Sequence, residues 1–218
     1  MKKAAWLRET QRQRIFENSG INSVANTNLI SVDVQPEYQD YLGFDLYEYL
    51  QFLNDNIDAM NSLTFLYNGA DTLGMVTETE YQMWLVENGF SEENLGYARF
   101  YDKGYAFFRY CMDEGIDDED VVALVRFMLT NDINDSRDMD AEKWEDFMAA
   151  SDADQSEIRD LMEVSDDMIS IPDLMDFLRN YNGSITLTGG GIQECLKEVE
   201  IALMALQKPY NVLTQWTY

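Results

Sequence analysis

Asn28-Leu29-Ile30-Ser31-Val32-Asp33, continued by Val34-Gln35-Pro36-Glu37-Tyr38, is the stretch from which the fold is read. A short apolar, β-prone run entered from a polar Asn- and Ser-rich connector (Asn22 to Asn28) predicts a buried strand that delivers Asp33 to its carboxyl end. In open α/β sheets the working crevice lies outside the carboxyl ends of the strands, so an acid placed there has the usual address for chemistry. A second stretch answers it. Thr186-Leu187-Thr188 runs into Gly189-Gly190-Gly191 and then into an amphipathic helix expected over Ile192 to Leu206, with Cys195 in its first turn.

Outward from the first strand, Phe44, Leu46, Tyr47, Leu50, Leu53 and Ile57 recur at helical spacing. Leu63 to Tyr67 is a second apolar run, ending in Asn68-Gly69-Ala70-Asp71. Thr77 to Glu87 predicts a helix opened by a capping box, Thr77 with Glu80, and closed by Asn88-Gly89. Tyr97 to Tyr101 follows as a third strand, reaching Asp102 and Lys103. Strands alternating with helices in this way make βαβ units and a parallel sheet. The alternation then stops. Tyr105 to Asp113, Asp118 to Thr130, Ala141 to Ala150, Ser156 to Val164 and Pro172 to Tyr181 are helical in succession, before Ser184 to Thr188, the Cys195 helix and Tyr210 to Trp216 restore the pattern.

The expected fold is therefore α/β, a three-layer Rossmann-like parallel sheet with helices on both faces and a helical insertion. Residues 1–27 form a basic N-terminal helix and arm, 28–116 with 168–218 form the α/β domain, and 117–167 form an acidic helical insertion. The N-terminal helix, residues 2–17, packs on the body or on another copy. The aromatic tail from Tyr210 to Tyr218 closes the sheet or forms a subunit seam, which leaves a homo-oligomer open.

Forty-one acids against fifteen bases give a formal charge of -26. That balance argues against bare nucleic acid or an anionic membrane as a partner for most of the surface. Five of the bases, Lys2, Lys3, Arg8, Arg12 and Arg14, sit in the first fourteen residues beside one acid. Histidine is absent, which removes the commonest general base and ordinary serine-histidine triads, and leaves carboxylates, lysine and thiol. The two cysteines, Cys111 and Cys195, have no CxxC spacing and suggest neither a disulfide framework nor a thiolate zinc site. A reducing, cytoplasmic location is expected, with no membrane span and no signal peptide.

The acidic segment carries a calcium-loop pattern in outline. Asp132, Asn134, Ser136, Asp138 and Asp140 stand at its odd positions, and Ser165 to Leu174 resembles the second half of another such loop. Arg137 stands where the turn needs glycine and Lys143 where the bidentate acid belongs, so the pattern is at most an EF-hand-like helix pair without reliable metal binding, and a chance match in an acid-rich stretch is the preferred reading.

The strand Leu29 to Val32 followed by Asp33-Val34-Gln35 resembles the first strand of the isochorismatase-like cysteine hydrolases. Pro172 to Cys195 is similar to that family's helix, strand, glycine turn and nucleophile-bearing helix, including the spacing from Gly189 to Cys195 and the aliphatic Leu196. Phe100 to Phe108 resembles its lysine strand. The resemblance covers about a quarter of the chain and implies a catalytic triad of Asp33, Lys103 and Cys195, with Gln35, Gly190 and Gly191 contacting a small amide or ester substrate and no cofactor. Ile192 departs from the threonine usual before the nucleophile. The chemistry suits a chain without histidine. A thiol in a helix's first turn has its thiolate favoured by the amides there, an ammonium adds to this, and a carboxylate can shuttle the proton, while Glu194 opposes it.

Two other readings stand beside this one. Asp33, Asp71 and Asp102 each end an expected strand, and three converging carboxylates would hold a divalent metal for a PIN-like nuclease. Alternatively, the chain is an acidic, non-catalytic scaffold of the same fold that binds a basic protein partner.

Overall fold

The computed structural model describes residues 24–70, 75–103, 116–151, 162 and 173–218. The N-terminal helix expected over 2–17, Asp71, the helix Tyr105 to Asp113 with Cys111, most of Ser156 to Val164 and most of the second loop pattern lie outside them. Two compact units emerge. The sheet unit takes the described residues up to 103, then 181–197 and 209–218; the helical unit takes those between 106 and 180, together with 198–208. The helical unit thus reaches beyond the expected 117–167 on both sides, up to residue 180, and takes in 198–208 from the last helix.

Five strands form one all-parallel sheet in the order β3-β2-β1-β4-β5: β1 Asn28–Val32, β2 Ser62–Tyr67, β3 Ala98–Asp102, β4 Ile185–Gly189 and β5 Tyr210–Val212. This is a three-layer, Rossmann-like α/β fold. β1 and β4 are buried along their whole length, as strands covered on both faces must be. Buried hydroxyls of β1, β2 and β4 find partners at Ser31, Thr64 and Thr188: Tyr49 Oη donates to Ser31 Oγ at 2.8 Å, Thr64 Oγ1 bonds Tyr181 Oη, and Thr188 Oγ1 donates to the Trp216 carbonyl at 3.3 Å. Chain order reverses between β1 and β4. Helices α1 (Leu46–Asn56) and α2 (Glu78–Glu87) connect the strands on one side of that reversal, and α6 (Cys195–Ala205) connects β4 to β5 on the other. Right-handed crossovers therefore send α1 and α2 to one face and α6 to the opposite face.

Local chemistry starts and stops these elements. Asp45 caps α1 by accepting from the Glu48 amide, and Thr77 and Glu80 form the reciprocal capping box of α2. Beneath them Tyr49, Leu50, Leu53, Phe65, Tyr81, Leu85 and Phe90 make the sheet unit's core, with Phe65 edge-on to Tyr81 and Phe90 and stacked on Phe100. The strand expected over 210–216 is shorter. After Leu213 the chain turns through a single 3-10 turn, Thr214–Trp216, because Trp216 packs against Phe44, Tyr49 and Phe52 rather than continuing along β4.

In the helical unit, α3 (Asp118–Thr130) buries Val121, Val122, Leu124, Val125 and Met128, and α4 (Ala141–Ala150) buries Trp144 and Phe147. Phe147 meets Phe127 and Trp144 edge-on. Helix α5 (Asp173–Arg179) completes the described helices before the sheet resumes. Arg126 Nη2 donates to the Met204 carbonyl at 2.8 Å, closing the carboxyl end of α6. The calcium-loop pattern resolves into side-chain contacts of its own. Asp135 accepts from the Arg137 amide and pairs with its guanidinium, so its carboxyl is held down at about 2. Asp140 caps α4, and the Lys143 ammonium donates to the Asp138 carbonyl and pairs with Asp140.

Candidate active site

Asp33 and Lys103 each sit one residue beyond a strand, where the ladder still holds them: the Asp33 amide donates to the Leu66 carbonyl and the Lys103 amide to the Tyr67 carbonyl, both at 2.9 Å. Their strands, β1 and β3, have β2 between them, which puts the two backbones about 10 Å apart. Only a long side chain crosses that interval. Lys103 Nζ reaches over the end of β2 to Asp33 Oδ2 at 2.9 Å, and the two side chains are 3% and 0% exposed. Asp33 also adopts a left-handed backbone conformation, φ 49°. An aspartate tolerates that region better than most residues, yet such strain costs about 1–2 kcal/mol and gathers at functional positions.

On the other side of the reversal, Gly189 and Gly190 turn the chain at φ +71° and +60°. A β-carbon on Gly189 would lie 2.6 Å from the Val32 carbonyl and from Val34 Cγ2, so the close approach of β4 to β1 demands glycine. The Gly191 carbonyl accepts from both the Glu194 and Leu196 amides, so 192–194 form a turn and the helix begins at Cys195 rather than at Ile192; the Ile192 amide donates to the Tyr218 carbonyl. Cys195 is thereby the first residue of α6, its thiol buried.

Tyr38 lies beside the loop after β2, where its hydroxyl accepts from Asn68 Nδ2. Burial raises the pKa of its hydroxyl and the charge of Asp33 adds to this, a hydrogen bond from Asn68 opposes it, and Cys195 and Lys103 act on the same hydroxyl in opposite senses. Of the three sequence-predicted triad residues, Asp33 and Lys103 meet directly, while Cys195 opens α6 across the strand reversal. Tyr218 reports the same neighbourhood from the tail: burial raises its pKa, with Cys195, Asp33 and Glu194 adding to it.

Gln35 is buried and engaged with the protein. Its Oε1 accepts from the Asn68 amide at 2.8 Å, and its Nε2 donates to Glu37 Oε2 at 2.9 Å and to Met75 Sδ at 3.5 Å. It shapes the loop after β2. Asn68, presented by that loop, donates Nδ2 to Tyr38 Oη at 3.3 Å. Asn68 Oδ1 and Asp33 Oδ1 are buried acceptors that no donor reaches among the described residues. Sequence reading missed Asn68, Tyr38 and Tyr218. A polar residue directly after an apolar strand was the available signal for Asn68; nothing in the sequence marked the tyrosines.

The carboxylates of the nuclease reading are differently placed. Asp33 pairs with Lys103, whereas Asp102 Oδ1 accepts from the Gly69 amide at 2.9 Å, so closely that a β-carbon on Gly69 would lie 2.1 Å from Asp102 Oδ2. Asp71 lies outside the described residues. Among the described residues no group of three His, Cys, Asp or Glu side chains is arranged to hold a metal ion, and no helix is long and apolar enough to cross a membrane. Compared with protein-family models, with curated proteins and with solved structures, the chain matches none of them.

Proposed function

We propose that the chain is a cysteine hydrolase of isochorismatase-like type, acting on a small amide or ester through Asp33, Lys103 and Cys195. The observation that carries this reading is the buried Asp33–Lys103 ion pair at the carboxyl end of the sheet, where strand order reverses, with Cys195 opening the helix across the reversal. Burying a lysine and an aspartate is expensive, and removing either partner would leave a charge uncompensated. The strained backbone of Asp33 and its second, undonated oxygen support a role beyond packing.

In this reading the Cys195 thiol gives its proton to Asp33, and the thiolate, favoured by Lys103 and by the amide end of α6, attacks the substrate carbonyl carbon. The tetrahedral adduct collapses as the C–N or C–O bond breaks, and the leaving amine or alcohol takes the proton from Asp33. Water then attacks the thioester, its proton passing to Asp33, and the carbonyl re-forms with release of the carboxylic acid. Sulfur leaves as thiolate and recovers the proton. Asn68 Oδ1 offers a buried acceptor to an N–H or O–H of the substrate.

The test is the reactivity of Cys195. It should alkylate at neutral pH faster than an ordinary thiol, and Cys195→Ser should abolish hydrolysis across a panel of small amides and esters. Hydrolysis that survives Cys195→Ser, or that requires a divalent metal and is lost in Asp33→Asn alone, would refute the reading. The second outcome would return the nuclease alternative.

A further inference from the structure

Tyr218 is held at both of its backbone groups by the glycine turn. Its amide donates to the Gly190 carbonyl at 3.1 Å, and its carbonyl accepts from the Ile192 amide at 2.7 Å. From this anchor the side chain runs between the two loops that flank the strand reversal. A β-carbon added to Gly43, on the loop leaving β1, would lie 3.2 Å from Tyr218 Cβ, and one added to Gly191 would lie 3.6 Å from Tyr218 Cε2. The stem thus rests on one loop and the ring on the other. Counted as whole residues, Cys195 is 3% exposed, Lys103 6% and Asp33 0%.

We infer that Tyr218 sets substrate size at this site: its ring is a bar between the Gly43 and Gly191 loops that admits short, unbranched acyl groups to Cys195 and turns away bulky ones. The inference deepens the hydrolase reading and rests on it for the word substrate, but the bar itself is a matter of access. A ring is suited to the part because it is rigid and large for the two torsions it orders. Its hydroxyl also stays protonated beside Cys195 and Asp33, since burial and their negative charge both disfavour the phenolate, so the bar brings no charge against a thiolate.

The experiment uses the full chain and two maleimides that share one electrophile, N-methylmaleimide and N-pyrenylmaleimide, with Cys195 modification followed by peptide-resolved mass spectrometry to separate it from Cys111. In the wild-type protein the small reagent should outpace the bulky one by at least about tenfold, the scale on which a pocket discriminates by size. Tyr218→Ala should bring the two rates within about threefold by speeding the bulky reagent, and Tyr218→Phe should keep the wild-type ratio. Should Tyr218→Ala fail to fold, Tyr218→Leu, which keeps the stem and removes the ring, carries the same expectation. An unchanged ratio in a folded ringless variant, or a Cys195 that reacts with neither reagent in any of them, overturns the bar. Because hydrolysis plays no part in this readout, a ratio that collapses as expected while Cys195→Ser leaves turnover intact would keep the bar and remove the chemistry.

Discussion

Replacing Lys103 by Met keeps the length of the side chain and removes the charge, leaving the Asp33 carboxylate buried without its counterion. The partners are 2.9 Å apart and 3% and 0% exposed. At an effective dielectric of about 20, two unit charges at that distance attract by about 6 kcal/mol. Part of that attraction is offset because both charges gave up water to meet, and breaking such a pair by removing one partner costs about 3–5 kcal/mol. For a chain of this size, each kcal/mol lowers Tm by about 2–4 °C, so Lys103→Met should melt about 6–20 °C lower. The informative comparison is the double variant Asp33→Asn, Lys103→Met, in which no charge is stranded. It should recover a large part of the loss, giving a favourable coupling of at least about 2 kcal/mol in a double-mutant cycle. Thermal and urea unfolding of the four proteins measures this. A Lys103→Met protein as stable as the wild type, or a double variant whose loss is the sum of the singles, would refute the reasoning that the pair is dry and mutually dependent.

Three further outcomes follow from the same geometry. Gly189→Ala should cost at least about 2 kcal/mol, since φ +71° and a 2.6 Å approach to the Val32 carbonyl both oppose a side chain, whereas Gly96→Ala, with nothing within 4 Å, should stay within about 0.5 kcal/mol; urea midpoints compare the two. Thr77→Ala removes one half of the α2 capping box and should lower stability by about 1 kcal/mol, with faster hydrogen exchange confined to the first turn of that helix. Tyr49 and Tyr81 are fully buried, and burial, the leading cause for both, raises their folded-state pKa above the ordinary 10. Their stabilising contribution is therefore complete below pH 10 and is lost as pH rises from there towards the folded values, so their phenolate absorbance should appear together with unfolding rather than ahead of it.

The parts of this molecule that were legible beforehand are those set by short-range chemistry. The run from Leu29 to Val32 read as a buried strand, Thr77 with Glu80 announced a helix start, and three glycines after Thr188 marked a turn, which the chain makes with positive φ at Gly189 and Gly190. Those features carried the parallel sheet. The address of Asp33 at the carboxyl end of a strand followed from them, whereas the strand order, with its reversal between β1 and β4, came only from the structure. What escaped was set by partners distant in sequence. Tyr210 to Trp216 has the composition of a strand throughout, but the pocket made by Phe44, Tyr49 and Phe52 diverts Trp216 and ends β5 at Val212. Ile192 fits the helical period, yet the Gly191 carbonyl takes the Glu194 and Leu196 amides in a turn that delays the helix to Cys195. Gln35 was legible as a strand-end polar residue but not as one whose amide groups face Asn68, Glu37 and Met75.

The strand reversal divides the candidate site by origin. Asp33, Asn68 and Lys103 belong to β1, β2 and β3, which are complete by residue 103, while Gly190, Cys195 and Tyr218 arrive with β4 and β5. The acid and the base can meet as soon as the first three strands are docked; the thiol cannot join them until the chain has passed through the helical segment and returned. In the proposed hydrolase, thiol activation is then a coincidence signal for completed folding. During synthesis or refolding, Asp33 and Lys103 would pair while Cys195 behaved as an ordinary thiol, and its enhanced reactivity would appear last, with the docking of β4. Stopped-flow refolding sampled by pulse alkylation would see that lag directly.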